Sequence, residues 1–443
     1  MRLNEERWVV GGGVDAEWKF VRASRVGGAL SDLKRLGVLL RKGAPSVLKR
    51  YALDKSISYL LSGPAQIRDA QAMFPALDCW LSVGRSFENG ERSEDDWGTH
   101  FPYLQSFAAA KAVLTGAKKK FTVRLSPEAR FHLTGTHLYF EFPASEAGRD
   151  AVCEAVGGAV RVTAASGVRG TPRELTPITE TLWVEYRDPL VLQPIRVHGV
   201  HQPTPQGEAR FAETLSAAMQ HVGEVDQPLY DEISDYLRLI IPLDNPSGMG
   251  SVSSSYKDLR GALCLSHSDD LLLQAETIVH EFCHQKMNLL FAVDPLIKPG
   301  QAGEVVYSPL RPDPRRLHGM LLGAHAFVNV TRYLLRVLHR QEFSKEDRFS
   351  IEMNTARRLF HQEIMLRTLS GYAELTDLGR RITLWMWREL MLQYHEMLVF
   401  DPKAIASARK KVQEHADVFQ LGDTGWHSGT PRESLKKKKA KKR

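Results

Sequence analysis

Apolar residues recur at helical spacing from Ser46 to Leu61 and from Phe101 to Leu114, with glycine-containing stretches between them. Residues 1–118 therefore read as a mostly helical region. The texture changes at Lys118, Lys119 and Lys120. Phe121 to Leu125 and Phe131 to Phe142 are rich in β-branched and aromatic residues and partly alternate, the pattern of half-buried strands. Thr181 to Val200 continues that pattern, with Pro189 and Pro194 confining its strands to edges or breaking them, while Gly157 to Pro177 reads as loop. From about Gln206 helical periodicity returns. Glu208 to Val222 and Gln227 to Ile241 are amphipathic, and the Gly/Ser-rich stretch Asp244 to Lys257 interrupts the pattern. Further helices are predicted over Leu271 to Phe291, Asp313 to Arg340, Lys345 to Leu369, Glu374 to Phe400 and Pro402 to Phe419. The expected fold is α+β and predominantly helical. In chain order it has a helical region 1–118, a β-rich segment 119–205, a helical domain 206–421 and a disordered tail 422–443.

Charge sharpens this division. The 443 residues carry 59 Lys and Arg against 52 Asp and Glu, a formal +7. The surplus sits in the terminal KKKKAKKR, Lys436 to Arg443; setting aside its seven basic groups leaves 52 against 52. A neutral body argues against a nucleic-acid-binding surface. No apolar run approaches the roughly 18 residues that a membrane span needs, and acidic residues stand where a signal peptide would be basic. Four widely spaced cysteines, Cys79, Cys153, Cys264 and Cys283, form no CxxC pair. A reduced, cytoplasmic protein is the expectation.

The strongest chemical signal is an HExxH match at His280, Glu281 and His284, inside the apolar helix predicted over Leu271 to Phe291. Residues four apart share a helix face, so the two imidazoles can converge on one metal ion. Glu281 points off that line and can orient a metal-bound water. Cys283 reads as a small core residue rather than a ligand. The metzincin pattern is excluded, because Met287 and Leu290 stand where it requires Gly and His. The third ligand stays open among three candidates. Glu304, 24 residues after His280, has a spacing a thermolysin-like peptidase permits. His318 and His325, seven apart on the next predicted helix, share a face among Gly319, Gly323, Ala324 and Ala326, small residues that let a partner helix approach. An HExxH helix packed on this second, His-bearing helix is the expected arrangement. Imidazole ligands suit Fe(II) as well as Zn(II), so ligand type does not name the metal.

Just before that helix runs Tyr307 to His318, stiffened by Pro312 and Pro314, with Pro314 suited to a first helical turn. Arg311, Arg315 and Arg316 would enter the site region. An arginine fork binds carboxylates bidentately, serving a peptidase substrate or the oxoacid cosubstrate of an oxygenase. Weaker features are discounted. Gly11 to Gly13 suggest a turn, Asn329 to Thr331 a sequon inside a helix, and His198 and His201 surface positions; Leu384, Trp385, Trp387 and Leu390 suggest a core stripe.

From about Glu208 to Phe400 the chain resembles the HExxH-motif proteins of bacterial natural-product clusters, described as α-ketoglutarate-dependent peptide β-hydroxylases. The matching stretches begin with Val225 to Tyr230, Ile241 to Leu243, the serines of Ser251 to Ser255 and Gly261 to Ser266. They continue through Ile278 to His284, Ser308 to Arg315 and Gly323 to Phe327. The resemblance implies mononuclear Fe(II), α-ketoglutarate and O2, with His280 and His284 as iron ligands and roles for Glu281, Arg311 and Arg315. It also implies a ribosomally made precursor peptide as partner. Arg316 stands where a proline is common, and Leu322 where many members have a histidine; His318 and His325 lie one turn either side of 322. Three readings follow: the Fe(II)/α-ketoglutarate peptide hydroxylase, a Zn(II) peptidase with Glu281 as general base, and a structural metal in a non-enzymatic protein.

Overall fold

The computed structural model describes residues 8–9, 16–91, 97–195, 198–248, 250–301 and 303–419. The tail expected to be disordered and the Gly11 to Gly13 turn lie outside the described residues. Helix makes up 59% of the structure and several small sheets accompany it, which gives an α+β, predominantly helical protein. The chain groups into two compact units that interleave along the sequence. One comprises 22–216 and 236–269; the other comprises 1–21, 217–235 and 270–443.

The unit comprising 22–216 and 236–269 begins with most of α1 (Ala16–Gly43), followed by α2 (Leu53–Leu61), α3 (Pro75–Glu88) and α4 (Leu104–Leu114). The helix expected over Ser46 to Leu61 is in fact two. It breaks at Ala52, which takes a left-handed backbone (φ 49°) between Pro45–Arg50 and α2. An aromatic cluster of Trp80, Phe87, Trp97, His100 and Phe101 fills the core, with ring centroids 5.0–5.7 Å apart. Asp78 receives both Arg25 and Arg260, at 2.7 and 2.9 Å, so this buried charge is neutralised from two sides.

The strands follow. β1 (Lys119–Arg124), β4 (Asp150–Val156) and β5 (Ala159–Ala164) form one antiparallel sheet; β2 (Arg130–His132), β3 (Leu138–Glu141) and β6 (Thr171–Glu174) form another. Much of the expected loop Gly157 to Pro177 is therefore strand. Gly157 and Gly158, with φ of 58° and 87°, make the tight turn that folds β5 back on β4. β7 (Pro177–Thr179) and β8 (Leu182–Val184) join β9 (Leu239–Pro242), β10 (Ser253–Ser254) and β11 (Ala262–Leu265) in a mixed sheet. β9 corrects the helix expected to run to Ile241. All four of its residues are buried, and Leu-Ile-Ile-Pro suits a central strand better than a helix end. α5 (Pro205–Val225) and α6 (Gln227–Tyr236) precede it.

The other unit is built on α7 (Leu271–Phe291), α8 (Leu317–Arg340), α9 (Lys345–Tyr372), α10 (Asp377–Met397) and α11 (Pro402–Val418). α7 spans the residues the sequence assigns to it. Asp270 caps it, its Oδ1 accepting from Leu273 N at 3.0 Å. α8 begins at Leu317 rather than Asp313, because Pro312 and Pro314 hold the residues before them extended. Arg315 and Arg316 instead form β13 (Arg315–Arg316), paired with β12 (Val305–Val306). Gly323 accommodates α9: a Cβ there would lie 3.1 Å from Met365 Sδ. Of the stripe predicted on α10, only Leu390 is fully buried; Leu384 is 69% exposed, and Trp385 and Trp387 are half-covered.

Candidate metal centre

α7 is buried along most of its length, but every fourth residue on one stripe, Glu276, His280, His284 and Asn288, is only partly covered. That stripe is where an apolar helix keeps polar side chains near a cavity. On it the rings of His280 and His284 stand nearly perpendicular, their centroids 4.6 Å apart. The ligand atoms of His280, Glu281 and His284 all lie within 4.8 Å of one another. Phe327 closes one side, its ring 5.1 Å from that of His280.

The group is tuned for neutral imidazole. His280 is held well below the usual histidine range by burial first, then by His284, Arg358 and Arg315. His284 is lowered by burial and by Arg315, against the pull of Glu281. Neutral imidazoles are the form that ligates metal. His284 Nδ1 is buried and makes no hydrogen bond among the described residues. Two imidazoles on a partly open stripe with the buried Glu281 carboxylate beside them, and a buried nitrogen left for a partner, fit a divalent cation.

The other predicted residues fall elsewhere. His325 is fully buried, and its Nε2 meets the Trp8 carbonyl at 2.9 Å. Burial pushes its pKa down to about 3, against that carbonyl. His318 stacks on Phe291 with ring centroids 4.2 Å apart. Glu304 is exposed, its backbone accepting from Leu317 N at 2.8 Å. Among the described residues none of these three joins the motif group. Cys283 is buried and free, and Asn329 is buried against the His325 carbonyl, so the sequon offers no surface for a glycan.

Of the three predicted arginines, Arg315 acts electrostatically on the group. Arg311, Arg315, Arg316 and His318 line a cavity of about 560 Å³. Arg311 is exposed and paired with Asp313 at 3.0 Å. Arg315 is half-buried, its side chain lies over Gly319, and its guanidinium makes no ion pair or hydrogen bond among the described residues. Its charge is nevertheless felt by His280, His284 and Glu281. The sequence reading missed three groups on α9: Arg357, Arg358 and His361. Arg358 pairs with Glu276 and depresses His280; His361, beside Arg357 and Arg358, is pushed to about 3 mainly by burial. Their signal was the Arg-Arg-x-x-His spacing, which puts them on adjoining turns of one helix.

No protein-family model matches the chain, and no curated protein matches it in sequence.

Proposed function

We propose that the chain is an Fe(II)- and α-ketoglutarate-dependent oxygenase that hydroxylates a side-chain β-carbon in a ribosomally made peptide. The observation that carries this reading is Arg315, a half-buried guanidinium with no carboxylate of its own, within electrostatic reach of the His280–Glu281–His284 group. A buried cation beside a metal site favours an anionic cosubstrate, and a guanidinium fork matches a carboxylate.

His280 and His284 would hold the metal through neutral imidazoles, and the Glu281 carboxylate would complete or orient its coordination. Fe(II), with α-ketoglutarate and O2, supplies the oxidation of an unactivated C–H bond. Arg315 would hold the distal carboxylate of the oxoacid and fix its orientation. His318 and Arg311, on the same cavity wall, would meet the open side where a peptide enters. The apolar wall of Phe327 and the buried side of α7 would limit water at the metal. Fold class and the pairing of α7 with α8 enter this proposal as the scaffold for the group.

The test incubates the chain with Fe(II), α-ketoglutarate, ascorbate and candidate precursor peptides, and follows succinate release and peptide mass. Gain of one oxygen atom, with succinate formed only when α-ketoglutarate is present, is the expected result. Absence of oxoacid-dependent succinate with every peptide would sink the proposal.

A Zn(II) peptidase is the second reading, favoured by the Glu281 carboxylate within 4.8 Å of both motif histidines, where it can act as general base. Peptide cleavage supported by zinc and indifferent to α-ketoglutarate would select it.

A further inference from the structure

The unit comprising 22–216 and 236–269 holds a second cavity, of about 640 Å³. β1 ends at Arg124 and β2 carries Arg130 and His132, two apart on one strand face. All three line the cavity. Among the described residues, no carboxylate does. Leu125, Phe131, Pro127, Pro189 and Leu190 supply an apolar wall, and Tyr103 and Ser106 supply hydroxyls.

Behind this lining lies a buried polar network. Glu185 sits 3.5 Å from His132 Nδ1 and also accepts from the backbone N–H groups of Arg187 and Asp188. Asp188 accepts from the Tyr103 hydroxyl and from Leu190 N at 3.0 Å. Ser106 donates to Thr134 at 2.7 Å, and Thr134 to Tyr103 at 3.1 Å. The two carboxylates are thus fully engaged and outweigh burial, drawing the His132 pKa above its usual value. A purely structural histidine in such a network would have both ring nitrogens paired. Here Nε2 has no partner among the described residues, although the side chain is only 6% exposed. The Arg124 guanidinium lies near enough to the Tyr51 hydroxyl to act on it electrostatically. Arg130 makes only a loose pair with Glu141 at 3.7 Å.

We infer that this cavity is a second ligand site, independent of the metal group, and that it takes a small organic carboxylate with an apolar body. The carboxylate would meet Arg124 and Arg130, an acceptor on the ligand would pair with His132 Nε2, and the hydrocarbon part would lie against Phe131 and Leu125. An organic acid is favoured over a bare anion because the wall is largely apolar. No reaction is assigned to it.

The experiment titrates full-length chain with phenylacetate, 3-phenylpropionate and hexanoate, each beside its neutral amide, and with inorganic phosphate. Calorimetry and ligand-observed NMR read the binding. An acid is expected to bind at least about tenfold more tightly than its amide and than phosphate. Arg124→Met and Arg130→Met should each weaken the acid about tenfold, Arg124→Lys should weaken it less, and Arg315→Met should leave it unchanged. Circular dichroism confirms folding of each variant, and His132→Gln stands in if the Arg124 variant does not fold. Failure of all three acids to bind, equal binding of amide or phosphate, or dependence on Arg315 rather than Arg124 would overturn the assignment. Because the readout is binding without turnover, it fails or succeeds separately from the oxygenase reading.

Discussion

At the scale of single residues, the site is governed by which imidazoles stay neutral and which cation stays unpaired. Replacing His280 or His284 with Ala should abolish stoichiometric metal, measured by plasma mass spectrometry, whereas His325→Asn should retain it, because the Trp8 carbonyl occupies that ring. Arg315→Met should raise the KM for α-ketoglutarate at least about tenfold, equivalent to about 1.4 kcal/mol, with metal content unchanged. An unchanged KM would remove Arg315 from cosubstrate binding. Acid sensitivity follows from the buried histidines. His325 and His361 titrate at about 3 in the fold, against about 6.5 in the unfolded chain. Between those values the unfolded chain holds more protons, so stability falls as pH drops below about 6.5, by about 2 kcal/mol per histidine on reaching pH 5. Urea midpoints at pH 7 and pH 5 check this, and His361→Gln should lose less than the parent over that interval.

At the scale of elements, caps and close contacts carry separable effects. Asp270→Ala should cost about 1 kcal/mol by leaving Leu273 N without its cap. Gly379, in the first turn of α10, has room for no side chain: a Cβ would lie 2.0 Å from the Leu296 carbonyl, which itself accepts from Thr376 N. Gly379→Ala should therefore cost about 1–3 kcal/mol, read by urea unfolding. Local pattern carries far where it is strong. α7 and its motif were legible because an apolar run and an i, i+4 histidine pair lie within twenty-odd residues. The start of α8 differs from the expectation because Pro314, suited to a first helical turn, instead lies with Pro312 in extended chain, which is how Arg315 comes to be presented from a strand. β9 was invisible because a short buried apolar run has no period to distinguish strand from helix. The contribution of Arg358 on α9 to the His280 environment, and the turning of His325 to Trp8, depend on pairings between distant segments that no local spacing encodes.

At the scale of the whole molecule, the interleaving of the two units makes stability depend on contacts between residues far apart in sequence. In the unit containing α7, Lys286 donates to Glu232 at 2.8 Å, both side chains almost wholly buried, and its ammonium lies 5.4 and 5.9 Å from the Trp8 and Trp18 rings. Glu232→Ala would remove a buried ion-pair partner of Lys286 and should destabilise the chain by about 3–5 kcal/mol. The Glu232→Leu/Lys286→Met double variant should recover most of it, and denaturant midpoints distinguish the two. Trp8 also sets a timetable. Its backbone partner, His325, follows it by 317 residues. At about 5–20 residues per second of ribosomal synthesis, the Trp8 carbonyl waits about 16–63 s for its partner on α8. During that interval its indole is a sticky surface on a nascent chain, so expression yield should depend on chaperone supply and on translation speed across the intervening codons.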